Sequence, residues 1–112
     1  MIKRILAGLI SATLVTAASA QELKEINFGI ISTDSSSALK EEWQPILSDM
    51  EKKTGLKVHP FFATDYAGII EGMRFNKVQV AWFGNKSAME AVDRANGQIF
   101  AKFVNSDGTE VY

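Results

Sequence analysis

Between residues 26 and 104, short apolar runs alternate with stretches of helical period. This alternation restricts the fold more than any other feature of the chain. Residues 26–31 (INFGII) are apolar and partly β-branched, and the polar run STDSSS at 32–37 ends them, which predicts a buried strand. Leu39, Trp43, Ile46, Leu47 and Met50 then recur at helical spacing. Pro45 interrupts that stripe, and either kinks the helix or starts it in a first turn, where a missing amide does no harm. Lys52, Lys53 and Gly55 mark a helix end, with cations in the last turn and a glycine able to turn left-handed.

The pattern then repeats. Residues 56–62 (LKVHPFF) predict a second strand, at an edge or cut short because Pro60 cannot donate to a ladder. Asp65 is placed to cap a short helix over 66–75, with Ile69, Ile70 and Met73 inward. Residues 78–83 (VQVAWF) predict a third strand. Asn85 is placed to cap a helix over 86–96, and Gly97 to end it. Residues 98–104 (QIFAKFV) predict a fourth strand, followed by a turn at 105–108 and another extended piece to Tyr112.

Strands alternating with helices make βαβ units. The expected class is α/β, a mostly parallel sheet with helices on both faces. Ligands of such sheets sit beyond the carboxyl ends of the strands. Those ends are Ser32-Thr33-Asp34, Ala63-Thr64-Asp65-Tyr66 and Phe83-Gly84-Asn85, and each carries hydroxyls, amides or acids beside small residues, a chemistry suited to holding a polar small molecule.

The N-terminus carries a different signal. Lys3 and Arg4 precede a largely apolar run at 5–15, and Ala18-Ser19-Ala20 precedes Gln21. Charge, apolar run and small residues in that order predict a secretory signal peptide over 1–20, cleaved after Ala20. The run is shorter than the ~20 apolar residues of a spanning helix, and no second such run follows. With no cysteine in the chain, a lipid anchor, disulfides and thiolate chemistry are excluded. Residues 21–112 keep ten basic side chains against thirteen acidic ones, so no basic block points to nucleic acid.

Catalysis finds no support in the residues. The single histidine, His59, falls inside a predicted strand, with no nucleophile or orienting group implied beside it. No phosphate loop, dinucleotide fingerprint or H-E-x-x-H occurs. Asp93 reads as a solvated helix face and Asp65 as a cap. Trp43, Phe61, Phe62, Phe100 and Phe103 read as core, while Trp82 and Phe83 fit either core or the wall of a site. Tyr66 stands at a strand-to-helix corner, where a phenol presents both a ring and a hydroxyl to a ligand.

The segments INFGIIST (26–33), DMEKKTGLKV (49–58) and FFATDYAGIIEGMRFNKVQVAWFGNKSAMEAVDRANGQIFA (61–101) resemble the start of the periplasmic phosphonate-binding proteins of ABC transporters. The resemblance runs over residues 26–112. It implies a type II periplasmic binding protein, in which two α/β lobes enclose the ligand, with residues 21–112 an incomplete first lobe. It implies a periplasmic address, a phosphonate, phosphite or related oxyanion as ligand, an inner-membrane ABC permease as partner, no cofactor and no enzymatic activity. Tyr66 and Tyr112 match ligand-contacting tyrosines of the family, while Asp65 and Asn85 lie beside the cleft. Phe83 stands where many members carry tyrosine. The family's second lobe, with its Ser/Thr-rich helix start gripping the phosphonate, would follow Tyr112. The rival expectation is a stand-alone exported βαβ interaction module that dimerises through its sheet edge.

Overall fold

The computed structural model describes residues 22–32 and 36–111. The expected signal peptide, Thr33, Asp34 and Tyr112 lie outside those residues. The first strand, β1 (Glu25–Ile31), is the centre of a three-stranded parallel sheet. It is flanked by β2 (Lys57–Ala63) and β3 (Val80–Ala81), giving the order β2-β1-β3. Helix α1 (Ser36–Thr54) connects β1 to β2, α2 (Tyr66–Arg74) connects β2 to β3, and α3 (Asn85–Ala95) follows β3.

Side chains alternate across a strand, and β1 uses both of its faces. Ile26, Phe28 and Ile30 form one buried cluster with Leu47 of α1 and Val58 of β2, against which Trp43, Met50 and Phe62 pack. Gly29 points the other way, toward Ile69 of α2. Register agrees: Ile26, Phe28 and Ile30 pair with Val58, Pro60 and Phe62. One helix thus covers each face, as the alternation predicts, and α3 packs chiefly on α2. Each fully buried aliphatic side chain here contributes about 1.5–3 kcal/mol.

Both prolines are explained by position. Odd-numbered residues of β2 point their backbone groups at β1, as the bonds from the Lys57 amide to the Lys24 carbonyl and from the Ser32 amide to the Ala63 carbonyl show. Pro60 is even-numbered, so its missing amide faces outward from an edge strand, and β2 continues through it. The outward Val58 amide donates to Glu51 Oε1 at 2.9 Å. Pro45 does not start α1; it stands inside the helix. Pro45 and Glu41, whose carbonyl loses its donor, are both exposed, so solvent reaches the gap. Gly55 ends α1 at φ 73°, as its sequence position predicts.

Five expectations are corrected. Ile46 lies off the buried stripe of α1 and is exposed. The third strand has ladder pairing only at Val80–Ala81, although the Gln79 amide bonds the Asn27 carbonyl and the Trp82 amide bonds the Gly29 carbonyl, both at 3.1 Å. Gly97 does not end α3: Asn96 takes the left-handed position at φ 53°, and the Gly97 amide closes on the Ala91 carbonyl at 3.0 Å. The fourth strand, β4, is only Phe103–Val104, and it pairs antiparallel with β5 (Glu110–Val111), apart from the parallel sheet. Phe100 and Phe103, read as core, are 80% and 55% exposed. The turn at 105–108 joins neighbouring segments locally, and the hairpin forms from it instead of from a crossover.

Candidate functional site

Each βα unit starts its helix just past the carboxyl end of a strand, so α1, α2 and α3 all begin at one edge of the sheet. Free amides and the positive ends of three helix dipoles therefore face the same side. None of the three helices carries an acid in its first turn. The arrangement leaves that edge receptive to negative charge.

Asp65 caps α2, as predicted. Its backbone is extended and its Oδ1 accepts from the Gly68 amide at 2.8 Å. The carboxylate is thus engaged locally, and the cap fixes where Tyr66, the first helical residue, emerges. Tyr66 is 36% exposed. Its ring lies 5.9 Å from that of Phe83, tilted 40°. Strand alternation sends Trp82 to the opposite face, where its ring stands 6.3 Å from Trp43 and 6.1 Å from Phe103. Of the two aromatics whose role the sequence left open, Phe83 backs Tyr66. Trp82 ties the β4–β5 hairpin to α1 while remaining 50% exposed.

Asn85 does not cap α3. Gly84 holds the cap position in extended backbone and has no side chain to bond with. The buried Ser87 donates from Oγ to the Gly84 carbonyl at 3.0 Å, and the Ala88 amide donates to the same oxygen at 2.8 Å. A β-carbon at Gly84 would stand 3.5 Å from the Tyr66 hydroxyl, so the α3 entry and the phenol are neighbours. Together Tyr66, Gly84, Asn85, Lys86, Ser87 and Glu90 line an open concavity of about 400 Å³.

The structure therefore brings Tyr66 and Asn85 together and leaves Asp65 as a cap at the side, while Tyr112 lies outside the described residues. Sequence reasoning passed over Lys86, Ser87 and Glu90. Their signal was present, because the first turns of a helix that follows a strand end share the edge on which that strand ends. A phenol, an amide and an ammonium group can hold an oxyanion by hydrogen bonds and charge, with no covalent step. His59 serves elsewhere, on the half-exposed surface of β2, 3.3 Å from Glu25. A second concavity, about 330 Å³, lies at the far ends of α2 and α3, lined by residues that include Arg74, Arg94 and Asn96. Its arginines are drawn to Glu71 at 2.8 and 3.3 Å, and it lies away from the strand ends. Among the described residues, no helix is long and apolar enough to cross a membrane.

Comparison with known proteins accords with this geometry. The family model described as "ABC transporter, phosphonate, periplasmic substrate-binding protein" matches residues 28–112. The phosphonates-binding periplasmic protein of Escherichia coli K12 is 64% identical over 102 residues, which are 90% of this chain and 30% of that protein. The phosphate-import protein PhnD of Mycolicibacterium smegmatis is 42% identical over 59 residues, 53% of this chain and 18% of that protein. A crystal structure of a binding protein component of an ABC phosphonate transporter from Pseudomonas aeruginosa superposes with a TM-score of 0.71 at 61% identity, covering 79% of this chain and 29% of that one. The chain thus spans about three-tenths of the length of the E. coli relative. A stand-alone interaction module finds no support among these relatives. The chain belongs to the family of periplasmic substrate-binding proteins of phosphonate ABC transporters.

Proposed function

We propose that this chain forms ligand-binding surface of a periplasmic receptor that captures a phosphonate, or phosphite or a related oxyanion, for an ABC permease in the inner membrane. The observation that carries this reading is the family match over residues 28–112, which takes in the whole edge where Tyr66 and the starts of α2 and α3 meet. Residues 1–20 act as the export signal, cleaved after Ala20, and residues 21–112 contribute to the first of two lobes. Tyr66 and Tyr112 contact the ligand through ring and hydroxyl, with Asp65 and Asn85 at the margin. The receptor works by binding and release, without catalysis.

The experiment is a titration of the chain by NMR with methylphosphonate, inorganic phosphate and sulfate. Inorganic phosphate is included because the M. smegmatis relative is named for its import. Because the second lobe supplies the other half of the cleft, only weak shifts with methylphosphonate are expected, centred on Tyr66 and the start of α3 and larger than those with sulfate. Tyr66→Phe removes one hydroxyl bond, worth about 1 kcal/mol, and weakens binding roughly fivefold. Equal response to sulfate would sink the ligand class, and unchanged affinity in both Tyr66→Phe and Tyr66→Ala would remove Tyr66 from the site.

A further inference from the structure

Gly84 is the residue at the site for which the fold itself supplies no reason. It caps α3 in extended backbone, a conformation open to any L-residue. Among the described residues, a β-carbon there would meet only the Tyr66 hydroxyl at 3.5 Å and Ser87 Oγ at 3.9 Å, both ordinary contacts. Elsewhere a glycine is required by packing, as at Gly72, where a β-carbon would lie 2.9 Å from buried Val78. Or it is required by a positive φ, as at Gly108. A serine, asparagine or aspartate at position 84 would give α3 the side-chain cap that it lacks. What a side chain there would change is the surroundings of the phenol. Tyr66 and Gly84 line the same concavity, and among the described residues the Tyr66 hydroxyl has no hydrogen-bond partner. The Phe83 ring packs against that of Tyr66, 5.9 Å away.

Resting on the reading of this surface as an oxyanion site, we infer that Gly84 is a specificity-determining residue. Its missing side chain keeps open the space against the Tyr66 hydroxyl that the tetrahedral head of the ligand occupies. The hydroxyl donates there to a ligand oxygen, at the roughly 2.5–3.0 Å of such bonds. A β-carbon 3.5 Å from the hydroxyl competes with that oxygen for the same side of the phenol. It leaves the fold intact and blocks the bond. The glycine thus gives up a cap on α3 and admits the ligand.

The test is an NMR titration with methylphosphonate of the chain, Gly84→Ala, Gly84→Ser and Tyr66→Phe, following the Tyr66 and Ser87 amides, with a urea midpoint for each. Binding is compared through the initial slope of shift against concentration. Gly84→Ala is expected to weaken binding about fivefold, the effect of losing the one phenol bond. A double variant carrying Gly84→Ala and Tyr66→Phe should bind no more weakly than Gly84→Ala, because both substitutions act on one bond. Gly84→Ser should raise the urea midpoint by capping α3 and still bind more weakly; a merely structural role would move stability and binding together. Unchanged binding in Gly84→Ala and Gly84→Ser, with Tyr66→Phe weakened, overturns the inference while the oxyanion reading stands. Additive losses in the double variant do the same. No concentration-dependent shift in the unmutated chain overturns both.

Discussion

At the scale of single residues, Gly29 and Tyr66 show how much depends on what stands opposite. Gly29 is in the central strand, and a β-carbon there would lie 2.7 Å from Ile69 Cγ2 and 3.0 Å from Ala81 Cβ. Ile69 is fully buried, so it has little room to yield. Gly29→Ala is expected to destabilise the fold by about 1–3 kcal/mol, read from the urea midpoint. Pairing it with Ile69→Val should recover part of the loss, because the methyl in the way is removed. Hydropathy does not reveal this contact, since glycine between apolar residues looks like any interruption of a strand. Tyr66 is the opposite case. Its place after the predicted cap Asp65 already put it at a corner, and the structure added the Phe83 ring behind it.

Elements were set by local chemistry wherever their caps were local. The Asp65 cap and the Gly55 end follow from residue types at the right places. The β4–β5 turn is another local device, though its consequence for topology was not foreseen. Asp107 Oδ1 accepts from Thr109 Oγ1 at 2.6 Å and from the Thr109 amide at 2.9 Å. These bonds, the side-chain one first, hold the Asp107 carboxyl below its ordinary value of 3.8. A carboxylate depressed in the folded state stabilises the turn fully above the unfolded value, and that share is lost as pH falls through the folded one. The Thr109 amide should therefore exchange faster as pH drops below about 4, after correction for intrinsic exchange. Asp107→Asn should remove that pH dependence; a corrected rate flat with pH in the unmutated chain would refute the account.

On the scale of the whole molecule, the three-stranded sheet is covered on one face by α1 and on the other by α2. Leu47 is the point where α1 enters the cluster of Ile26, Phe28 and Ile30, and it is 2% exposed. Leu47→Ala is expected to cost about 2–5 kcal/mol. The environment of Trp43, which packs on the same cluster and 5.5 Å from Phe28, should change with it in a fluorescence-monitored melt. Removing exposed Ile46 from the same helix should cost far less. The pair of substitutions separates apolar residues that hold the layers together from those that merely share the helix. The same layering gathers three helix starts on one edge, which is why the candidate site has a place at all.

The sequence by itself determined the α/β class, the order of strands and helices through α3, the cap at Asp65, the corner at Tyr66 and the family. These rest on period, turn chemistry and motif, all of which are carried by neighbours along the chain. Only the tertiary structure decided that β4 leaves the parallel sheet for a hairpin, that Phe100 and Phe103 face solvent, and that Asn96 makes the left-handed stop. It also decided that Lys86, Ser87 and Glu90 share the concavity of Tyr66. For the exposed rings and the concavity, the physical reason is that the partner a ring or charge meets depends on packing between segments far apart in the chain. For the hairpin and the Asn96 stop, two local outcomes compete and their sequence signals look alike. An apolar run or a lysine looks alike in sequence whether that partner is a core, a ligand or water.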